Sequence, residues 1–253
     1  MESAFARSEM LIGRRAIEKL QGSHVAVFGL GGVGGAVVES LARAGVGALD
    51  VIDKDTIDIT NLNRQILATY ETVGQLKTDA AERRIHQINP ACKVTRLHLF
   101  YLPETADTIN LSQYDYVVDA IDNVTAKLHL AERCHELGVP LIAAMGAGNR
   151  LNALGFTVAD IYETEGDKLA KVMRRELRKR GIPSLKVVYS PAPTVIPTIL
   201  NEQGEPCRPP CPGSTPFVPP ICGLMLAAEV TADLIRDTEH VATLSNVSVQ
   251  AQA

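Results

Sequence analysis

The sequence predicts an α/β protein with a Rossmann-like fold: an open, mainly parallel sheet flanked by helices, with a C-terminal extension. Three observations support this prediction. Short apolar runs alternate with segments of helical periodicity, a glycine-rich turn follows the apolar run 24–28, and the next apolar run, 48–52, ends at Asp53. Uninterrupted apolar strands are typical of a parallel sheet that is covered on both faces.

Strands and helices are expected to alternate through the N-terminal half of the chain. Between the first two strands, Val33, Val37 and Leu41 recur at helical spacing. Pro90 and Gly138 are suitable stops for two further helices. The elements expected downstream are a helix at 77–87, strands at 94–99 and 116–119, a helix at 125–137 and a strand at 140–144.

The pattern changes after about residue 146. Ten of the fourteen prolines lie at 190–220, which predicts a loop, ordered or mobile, without regular structure. The elements expected around it are strands at 156–158 and 186–189 and helices at 167–179 and 223–235. We divide the chain into a helical arm (1–23), a Rossmann-like domain (24–150), an extension that packs on the same sheet (151–236) and a frayed tail (237–253).

Composition indicates a chain with a self-sufficient apolar core. Of its 253 residues 46% are hydrophobic, so neither a metal nor a disulfide is needed to hold the core together. No apolar stretch is long enough to span a bilayer, and the odd count of five cysteines favours a reducing compartment. We therefore expect a cytoplasmic protein without a membrane partner. The net charge of -4 gives no general attraction for nucleic acid, although a local basic patch can provide one.

The turn Gly29-Leu-Gly31-Gly32-Val-Gly34 is a candidate phosphate-binding site. Glycines between a strand and a helix let the backbone approach an anion, and the helix N-terminus offers unpaired N–H groups. Asp53 ends the following strand, where a carboxylate can bind ribose hydroxyls. Alone, these features favour NAD first and another adenine nucleotide second, and a tight turn without a ligand is the alternative.

Two cations, Arg64 and Lys77, follow Asp53 in the sequence. A hydride-transfer site does not need cations beside its nucleotide, whereas attack of an acyl oxygen on an α-phosphate builds up negative charge that cations stabilise. Arg64 can clamp phosphate oxygens with its planar fork, and Lys77 can supply a point charge. Each alone is an ordinary surface residue. Together, behind a glycine turn, they favour a phosphate site.

Asp122 follows a strand that ends at Asp119, at the edge where open α/β sheets bind ligands. A carboxylate beside phosphate oxygens needs a cation between them, so Asp122 is predicted to be a Mg²⁺ ligand. The alternative is that Asp122 caps the helix that begins near Val124. The two roles are compatible.

Together these motifs resemble the ubiquitin-activating-like superfamily of adenylating enzymes, over about residues 5–150. The residues that carry the resemblance are Gly29, Gly31, Gly32, Gly34, Asp53, Asp55, Asn61, Arg64, Gln65, Lys77, Asp122 and Asn123. The resemblance implies that they bind ATP and Mg²⁺ and that Arg64, Lys77 and Asp122 serve adenylation. It also implies that Arg7 reaches the ATP of a partner subunit, hence a homodimer. Without the resemblance, Arg7 is an ordinary exposed residue.

Segments after residue 146 resemble the tRNA threonylcarbamoyladenosine dehydratases, which extends the likeness over about residues 5–236. These segments include 146–150, 187–190 and 212–219. The resemblance implies that ATP activates the carboxylate of threonylcarbamoyladenosine in tRNA as an acyl-AMP. Ring closure then gives a cyclic, hydantoin-type form and releases AMP, without need of a catalytic cysteine. The tRNA is therefore the expected partner.

A basic face on the expected helix 167–179 fits RNA independently of this resemblance. Helical spacing places six cations opposite an apolar face that includes Met173 and Leu177. The six are Lys168, Lys171, Arg174, Arg175, Arg178 and Lys179. Such a face can neutralise several phosphates, and an ordinary solvated helix face is the alternative.

Three functions stay open at this point. The leading hypothesis is the dehydratase, the second is an activating enzyme for a small sulfur-carrier protein, and the third is an NAD-dependent oxidoreductase or nucleotide-sensing module. A sulfur-transfer helper protein is a further candidate partner. The sequence lacks the paired Cys-x-x-Cys motifs by which many sulfur-carrier activators bind zinc. Cys211 and Cys222 are candidate mobile thiols near the nucleotide, whereas Cys92 and Cys134 are expected to be small buried hydrophobes.

Overall fold

The computed structural model describes residues 3–200, 206–207, 209 and 211–238. Within these residues, one seven-stranded sheet forms the centre of the molecule. Its strands are β1 (His24–Phe28), β2 (Ala48–Ile52), β3 (Lys93–Leu97), β4 (Tyr116–Asp119), β5 (Leu141–Ala144), β6 (Thr157–Asp160) and β7 (Lys186–Tyr189). The spatial order is β3-β2-β1-β4-β5-β7-β6, and every neighbouring pair is parallel except β6 and β7. The predicted fold class is confirmed.

Helices cover both faces of this sheet. They are α1 (Ala6–Ile12), α2 (Arg14–Gln21), α3 (Gly32–Ala44), α4 (Lys77–Ile88), α5 (Val124–Leu137), α6 (Lys168–Lys179) and α7 (Val218–Leu234). Val25 and Val27 of β1 pack in a cluster with α3, α4 and α7, whereas Ala26 and Phe28 pack in a second cluster with α5. Because successive side chains of a strand point to opposite faces, the wholly apolar run of β1 follows from this double cover.

The strand order changes direction between β1 and β4. The chain winds outward from β1 to β2 and β3, then returns to place β4 on the other side of β1. In open α/β sheets, the carboxyl end of the strands at such a change of direction is the usual place for a ligand. The glycine turn and the Asp119–Asn123 segment are the loops after β1 and after β4, so the fold brings together the two motifs singled out from the sequence.

The predicted elements up to residue 144 are all present, with bounds that differ by at most two residues. The last helix differs more, because α7 begins at Val218 and not at 223. Pro219 and Pro220 lie in its first turn, where the missing N–H has no partner to lose. Farther along, a Cβ on Gly223 would lie 2.3 Å from the carbonyl oxygen of Val33, so α7 is in backbone contact with α3.

The proline-rich segment was expected to lack regular structure, and this expectation is wrong in part. Within it, β8 (Ile199–Leu200) and β9 (Pro206–Cys207) form a short antiparallel pair. The expected frayed tail lies outside the described residues from 239 onward, and the division of the chain into domains stays a prediction. No helix in the described part of the chain has the length and apolar character needed to cross a membrane.

Candidate active site

The glycines of the turn between β1 and α3 have different roles. A Cβ on Gly34 would lie 1.7 Å from the carbonyl oxygen of Gly29, and one on Gly29 would lie 2.6 Å from that of Ala120. Gly29 also has a φ of 88°, which favours glycine. In contrast, a Cβ on Gly31 would meet nothing within 4 Å. Gly29 and Gly34 are therefore required for backbone packing, whereas Gly31 leaves open space.

This open space lies at the start of α3. Gly31 is the N-cap residue of the helix, and no side chain caps the N–H groups of its first turn. Such groups are the ordinary ligands of a phosphate at a helix N-terminus. A turn without a ligand would gain from a capping side chain, which a glycine cannot supply. The geometry therefore fits a phosphate that approaches the backbone at Gly31.

Asp53 is held against the turn by two backbone hydrogen bonds. Its Oδ2 accepts from the N–H of Leu30 at 2.6 Å, and its Oδ1 accepts from the N–H of Asp55 at 2.8 Å. Lys77, at the start of α4, lies with Nζ 2.9 Å from Asp55 Oδ2 and 3.8 Å from Asp53 Oδ1, and its side chain is 7% exposed. Three of the predicted residues therefore form one charged group beside the glycine turn.

Arg64 also lies against the turn. A Cβ on Gly32 would lie 3.1 Å from the carbonyl oxygen of Arg64 and 3.5 Å from its Cγ. The guanidinium Nη1 donates to the carbonyl oxygen of Thr60 and to Asn63 Oδ1, both at 2.9 Å. These acceptors occupy only part of the donor fork, because arginine offers five N–H groups.

Asn61 and Gln65, two further predicted nucleotide ligands, are buried. Asn61 Oδ1 accepts from the backbone N–H of Asp58 and so closes the short 3₁₀ helix Ile59–Asn61. Within the described residues, Gln65 Oε1 is buried without a hydrogen-bond partner. A buried polar atom of this kind is costly unless something satisfies it, which fits a ligand in this position. The case for a role as a nucleotide ligand is therefore stronger for Gln65 than for Asn61.

Asp122 and Asn123 have separate roles at the start of α5. Asn123 Oδ1 accepts from the N–H of Ala126 at 3.0 Å and caps the helix. The alternative that Asp122 is the cap is therefore wrong. Asp122 is exposed, in the loop whose Ala120 contacts Gly29. Its carboxylate is free to take the cation predicted for it.

In a comparison with known protein families, residues 5–250 match the ThiF family. The chain belongs to the ThiF family. The tRNA threonylcarbamoyladenosine dehydratase of Bacillus subtilis (strain 168) is 42% identical over 243 residues, which cover 93% of this chain and 96% of that protein. The family resemblance expected from the motifs is confirmed.

Two crystal structures are similar to this ThiF-family chain over most of its length. They are of E. coli tRNA N6-threonylcarbamoyladenosine dehydratase, in complex with ATP (TM-score 0.78) and with AMP (TM-score 0.80). Each is 31% identical and covers 88% of this chain and 90% of the compared chain. The likeness therefore includes the extension after β5 as well as the glycine turn.

A buried ion pair between α5 and the end of β4 was not predicted from the sequence. Lys127 of α5 and Asp119 at the end of β4 are 3.0 Å apart, and each side chain is 1% exposed. Burial raises the pKa of Asp119, an effect that the ammonium of Lys127 opposes. The signal in the sequence was a lysine between Ala126 and Leu128, on the face of the helix expected to be buried.

Arg7 lies far from the glycine turn of its own ThiF-family chain. The ring of Phe5 is 3.3 Å from the position of a Cβ on Gly45, which ends α3 at the opposite end from Gly31. The 13 residues of α3 span about 20 Å. Arg7 is exposed, two residues after Phe5. Its role at a partner subunit's site stays a prediction.

The cysteines of the ThiF-family chain differ in exposure. Cys222 lies inside α7 with 0% exposure, and burial raises the pKa of its thiol to about 12. The expectation of a mobile thiol at this position is therefore wrong, because α7 begins before it. Cys211 is exposed in the proline-rich segment, and Cys92 and Cys134 are buried as expected.

Proposed function

We propose that this chain is an ATP-dependent tRNA threonylcarbamoyladenosine dehydratase. The observation that carries the proposal is the extent of the likeness to the Bacillus subtilis protein of that name, 93% of this chain. A likeness limited to the nucleotide half would fit any adenylating member of the family. The match instead extends over the part of the chain that would meet the second substrate, and this favours the dehydratase over an activator of sulfur-carrier proteins.

In the first step, a carboxylate oxygen of the threonylcarbamoyl group attacks the α-phosphorus of ATP, and pyrophosphate leaves. The open position at Gly31 and the uncapped start of α3 fit a phosphate of the nucleotide. Asp53 is positioned to accept from ribose hydroxyls through its remaining lone pairs. Arg64 and Lys77 stabilise the charge that builds on the phosphate oxygens.

The ammonium group of Lys77 already has carboxylate partners in the protein. It is paired with Asp55, and Asp53 lies within 3.8 Å. A phosphate oxygen that reaches Lys77 must therefore compete with two carboxylates for one cation. The carboxylates hold the ammonium in place, so little rearrangement is needed when the phosphate charge develops.

Mg²⁺ is the metal that this chemistry requires, since it would neutralise phosphate charge beside Asp122. The ion usually takes one or two protein carboxylates and completes its shell with phosphates and waters. A single exposed carboxylate in the loop against Gly29 fits this pattern. Nucleotide phosphates and waters would complete the shell of the ion.

In the second step, a nitrogen of the same substrate attacks the acyl carbon, loses its proton and expels AMP. The nucleophile belongs to the substrate, so no protein thiol is required, in agreement with the burial of Cys222. We further propose a homodimer in which Arg7 serves the partner's nucleotide, in the cytoplasm. A sulfur-transfer helper protein stays a candidate partner of this chain.

The proposal is tested with the purified protein, Mg-ATP and tRNA that carries threonylcarbamoyladenosine. We expect one AMP and one pyrophosphate for each nucleoside converted, and a nucleoside that has lost the mass of one water. A sulfur-carrier protein ending in Gly-Gly is the control substrate. ATP–pyrophosphate exchange that depends on this carrier, with the modified tRNA inert, would establish the alternative. A thermal shift with NAD and none with Mg-ATP would establish an oxidoreductase or sensor.

A further inference from the structure

The six cations of α6 are not equivalent, because those of its C-terminal half are compensated. Arg175 Nε and Lys179 Nζ lie 2.8 and 3.1 Å from Glu176 Oε1. Arg180 adds a third cation at 3.2 Å from Oε2. Arg175, Lys179 and Arg180 together lower the pKa of Glu176 to about 2. This carboxylate therefore stays charged and offsets part of the basic face.

Two more cations of the face are held by neighbouring groups. Arg174 donates through Nη1 to the carbonyl oxygen and the hydroxyl of Thr164. The guanidinium carbon of Arg178 lies 5.2 Å from the centre of the Tyr162 ring, within the range of a cation–π contact. Arg174 and Arg178 thus tie α6 to the segment that precedes it.

Lys168 and Lys171 differ from the other four. Both are exposed, and across the described residues neither ammonium group has an ion pair or a hydrogen bond. Lys168 is the first residue of α6, where the helix dipole disfavours a positive charge. Its charge therefore does not stabilise the helix. The uncompensated charge of the basic face lies at the N-terminal end of α6.

A pocket of about 290 Å³ lies at this end of the helix. Its lining combines Lys168 with polar and apolar groups from three other stretches of the chain. These include Asn149, Val195, Ile196, Cys211 and Pro212. The volume is at the lower end of the range for small-molecule pockets, roughly 300–1,000 Å³. A charged rim on an apolar wall suits a ribose-phosphate with its base.

The wall of this pocket is built around Asn149. Asn149 has a φ of 57°, which is uncommon for a residue with a side chain. Its N–H donates to the carbonyl oxygen of Gly213 at 2.8 Å, and its Oδ1 accepts from the N–H of Gly213 at 2.7 Å. Its carbonyl oxygen accepts from the N–H of Val195. The pocket is therefore shaped by fixed hydrogen bonds.

The pocket adjoins the adenylation site. Pro212 lines it, and the carbonyl oxygen of Ser214, two residues later, accepts from Asn63 Nδ2 at 3.1 Å. Two residues of chain span at most about 7 Å. Asn63 in turn accepts from Arg64 at the glycine turn. A nucleotide in the pocket would therefore lie one short segment away from the acyl group that reacts.

We propose that this pocket, with Lys168 and Lys171, binds the RNA nucleotide next to the one that is adenylated. The inference rests on the proposed function and narrows its RNA-binding surface. Phosphates of the strand meet the two uncompensated ammonium groups, which act as point charges, while the apolar wall contacts the ribose and base. The RNA then crosses the N-terminal end of α6 and does not follow its whole basic face.

The test compares two double variants that remove the same charge from exposed positions of one helix. They are Lys168→Ala/Lys171→Ala and Arg175→Ala/Lys179→Ala. Binding of a fluorescent anticodon stem-loop RNA is measured by anisotropy over a series of salt concentrations. We expect the first variant to raise Kd about tenfold and to reduce the salt slope by about one to two, as for two lost phosphate contacts. The second variant should change Kd less than about threefold, since its cations are already compensated.

Equal effects of the two variants, or a larger effect of the second, would overturn this inference and leave the dehydratase proposal standing. Conversion of modified tRNA by the wild-type protein is measured in parallel. If the wild type neither binds nor converts tRNA, the proposed function itself fails. Thermal shift with Mg-ATP checks that both variants fold and retain the nucleotide site. Lys168→Gln/Lys171→Gln, which removes the charges but keeps polar side chains, replaces the alanine variant if that variant is unstable.

Discussion

The ammonium group of Lys127 lies 3.0 Å from Asp119 Oδ2, and neither side chain is more than 1% exposed. The two atoms form an ion pair without hydrogen-bond geometry. Asp119 also accepts from the N–H of Ile121 at 3.0 Å, which fixes the start of the loop that contacts Gly29. The pair therefore connects α5 to the loop at the active site.

Removal of Lys127 alone should be costly. Lys127→Ala leaves the carboxylate of Asp119 buried and uncompensated, and the loss of one partner of such a pair costs about 3–5 kcal/mol. We expect the free energy of unfolding, measured by urea denaturation, to fall by this amount. Asp119→Asn/Lys127→Met removes both charges and should be less destabilised than the single variant. A double variant as unstable as the single one would contradict this electrostatic explanation.

The glycine turn offers a test that separates packing from ligand binding. Gly34→Ala places a methyl group 1.7 Å from the carbonyl oxygen of Gly29, so it should prevent folding of this region. Gly31→Ala meets no protein atom within 4 Å and has a φ of -72°, which alanine adopts readily. It should fold normally but weaken ATP binding at least about tenfold, a change of about 1.4 kcal/mol, because its methyl group occupies the space left for phosphate.

Calorimetric titration with Mg-ATP and circular dichroism distinguish these outcomes. Gly35→Ala is a further control in the same helix, where a Cβ would contact the Ile66 side chain at 3.3 Å. It should affect stability more than affinity. Unchanged ATP affinity in a folded Gly31→Ala protein would count against a phosphate at this position.

Most of the fold could be predicted from the sequence because the central strands of the large sheet are recognisable in it. Strands buried on both faces are uninterrupted apolar runs, and Gly138, with a φ of 67°, marks the left-handed end of α5. The start of α7 could not be placed, since Pro219 and Pro220 look like a loop until their position in the first helical turn is known. The short β8–β9 pair could not be predicted either, because it lies in the proline-rich segment.

The sequence could point to candidate site residues where one short motif supplies them, as at Gly31, Asp53 and Lys77, whose roles stay predictions. Contacts between two remote segments could not be predicted. Arg150 and Asp167 form a buried ion pair at 2.9 Å across 17 positions, and nothing in the sequence pairs them. The basic face shows the same limit, because helical spacing gives the side of the helix but not the partner that compensates each charge.

Lys77 and Asp122 should each matter to adenylation. Lys77→Ala and Asp122→Ala are expected to lower the adenylation rate by about 10²–10³, the usual effect of losing one preorganised electrostatic contact. Asp122 is exposed, so its variant should keep wild-type stability. Lys77→Ala also removes the ion pair with Asp55, so its stability needs a separate measurement.

Lys54 is the matched control for Lys77, because it is a lysine that follows Asp53 directly but contacts a different group. Its Nζ lies 3.9 Å from the centre of the Phe100 ring. Lys54→Ala removes only an exposed cation–π contact, which affects stability by about 0.5 kcal/mol, so it should leave the adenylation rate close to that of the wild type. The rates are compared by pyrophosphate release under single-turnover conditions. If Lys77→Ala or Asp122→Ala turns over like the wild type, the role assigned to that residue is wrong.

Arg7 tests whether sites are shared between subunits. Because Phe5 packs at the far end of α3, about 20 Å from Gly31 of the same chain, we expect Arg7 to serve adenylation at a partner's site. Arg7→Ala and Arg64→Ala should each abolish most activity alone. Mixed and allowed to exchange, they should regain up to about a quarter of wild-type activity, since random pairing makes half of the dimers mixed and each mixed dimer has one intact site. Arg14→Ala, in the adjacent helix, is the control for general damage to the arm. Mass spectrometry verifies that the subunits have exchanged. If activity does not recover after verified exchange, Arg7 does not complete a neighbouring site.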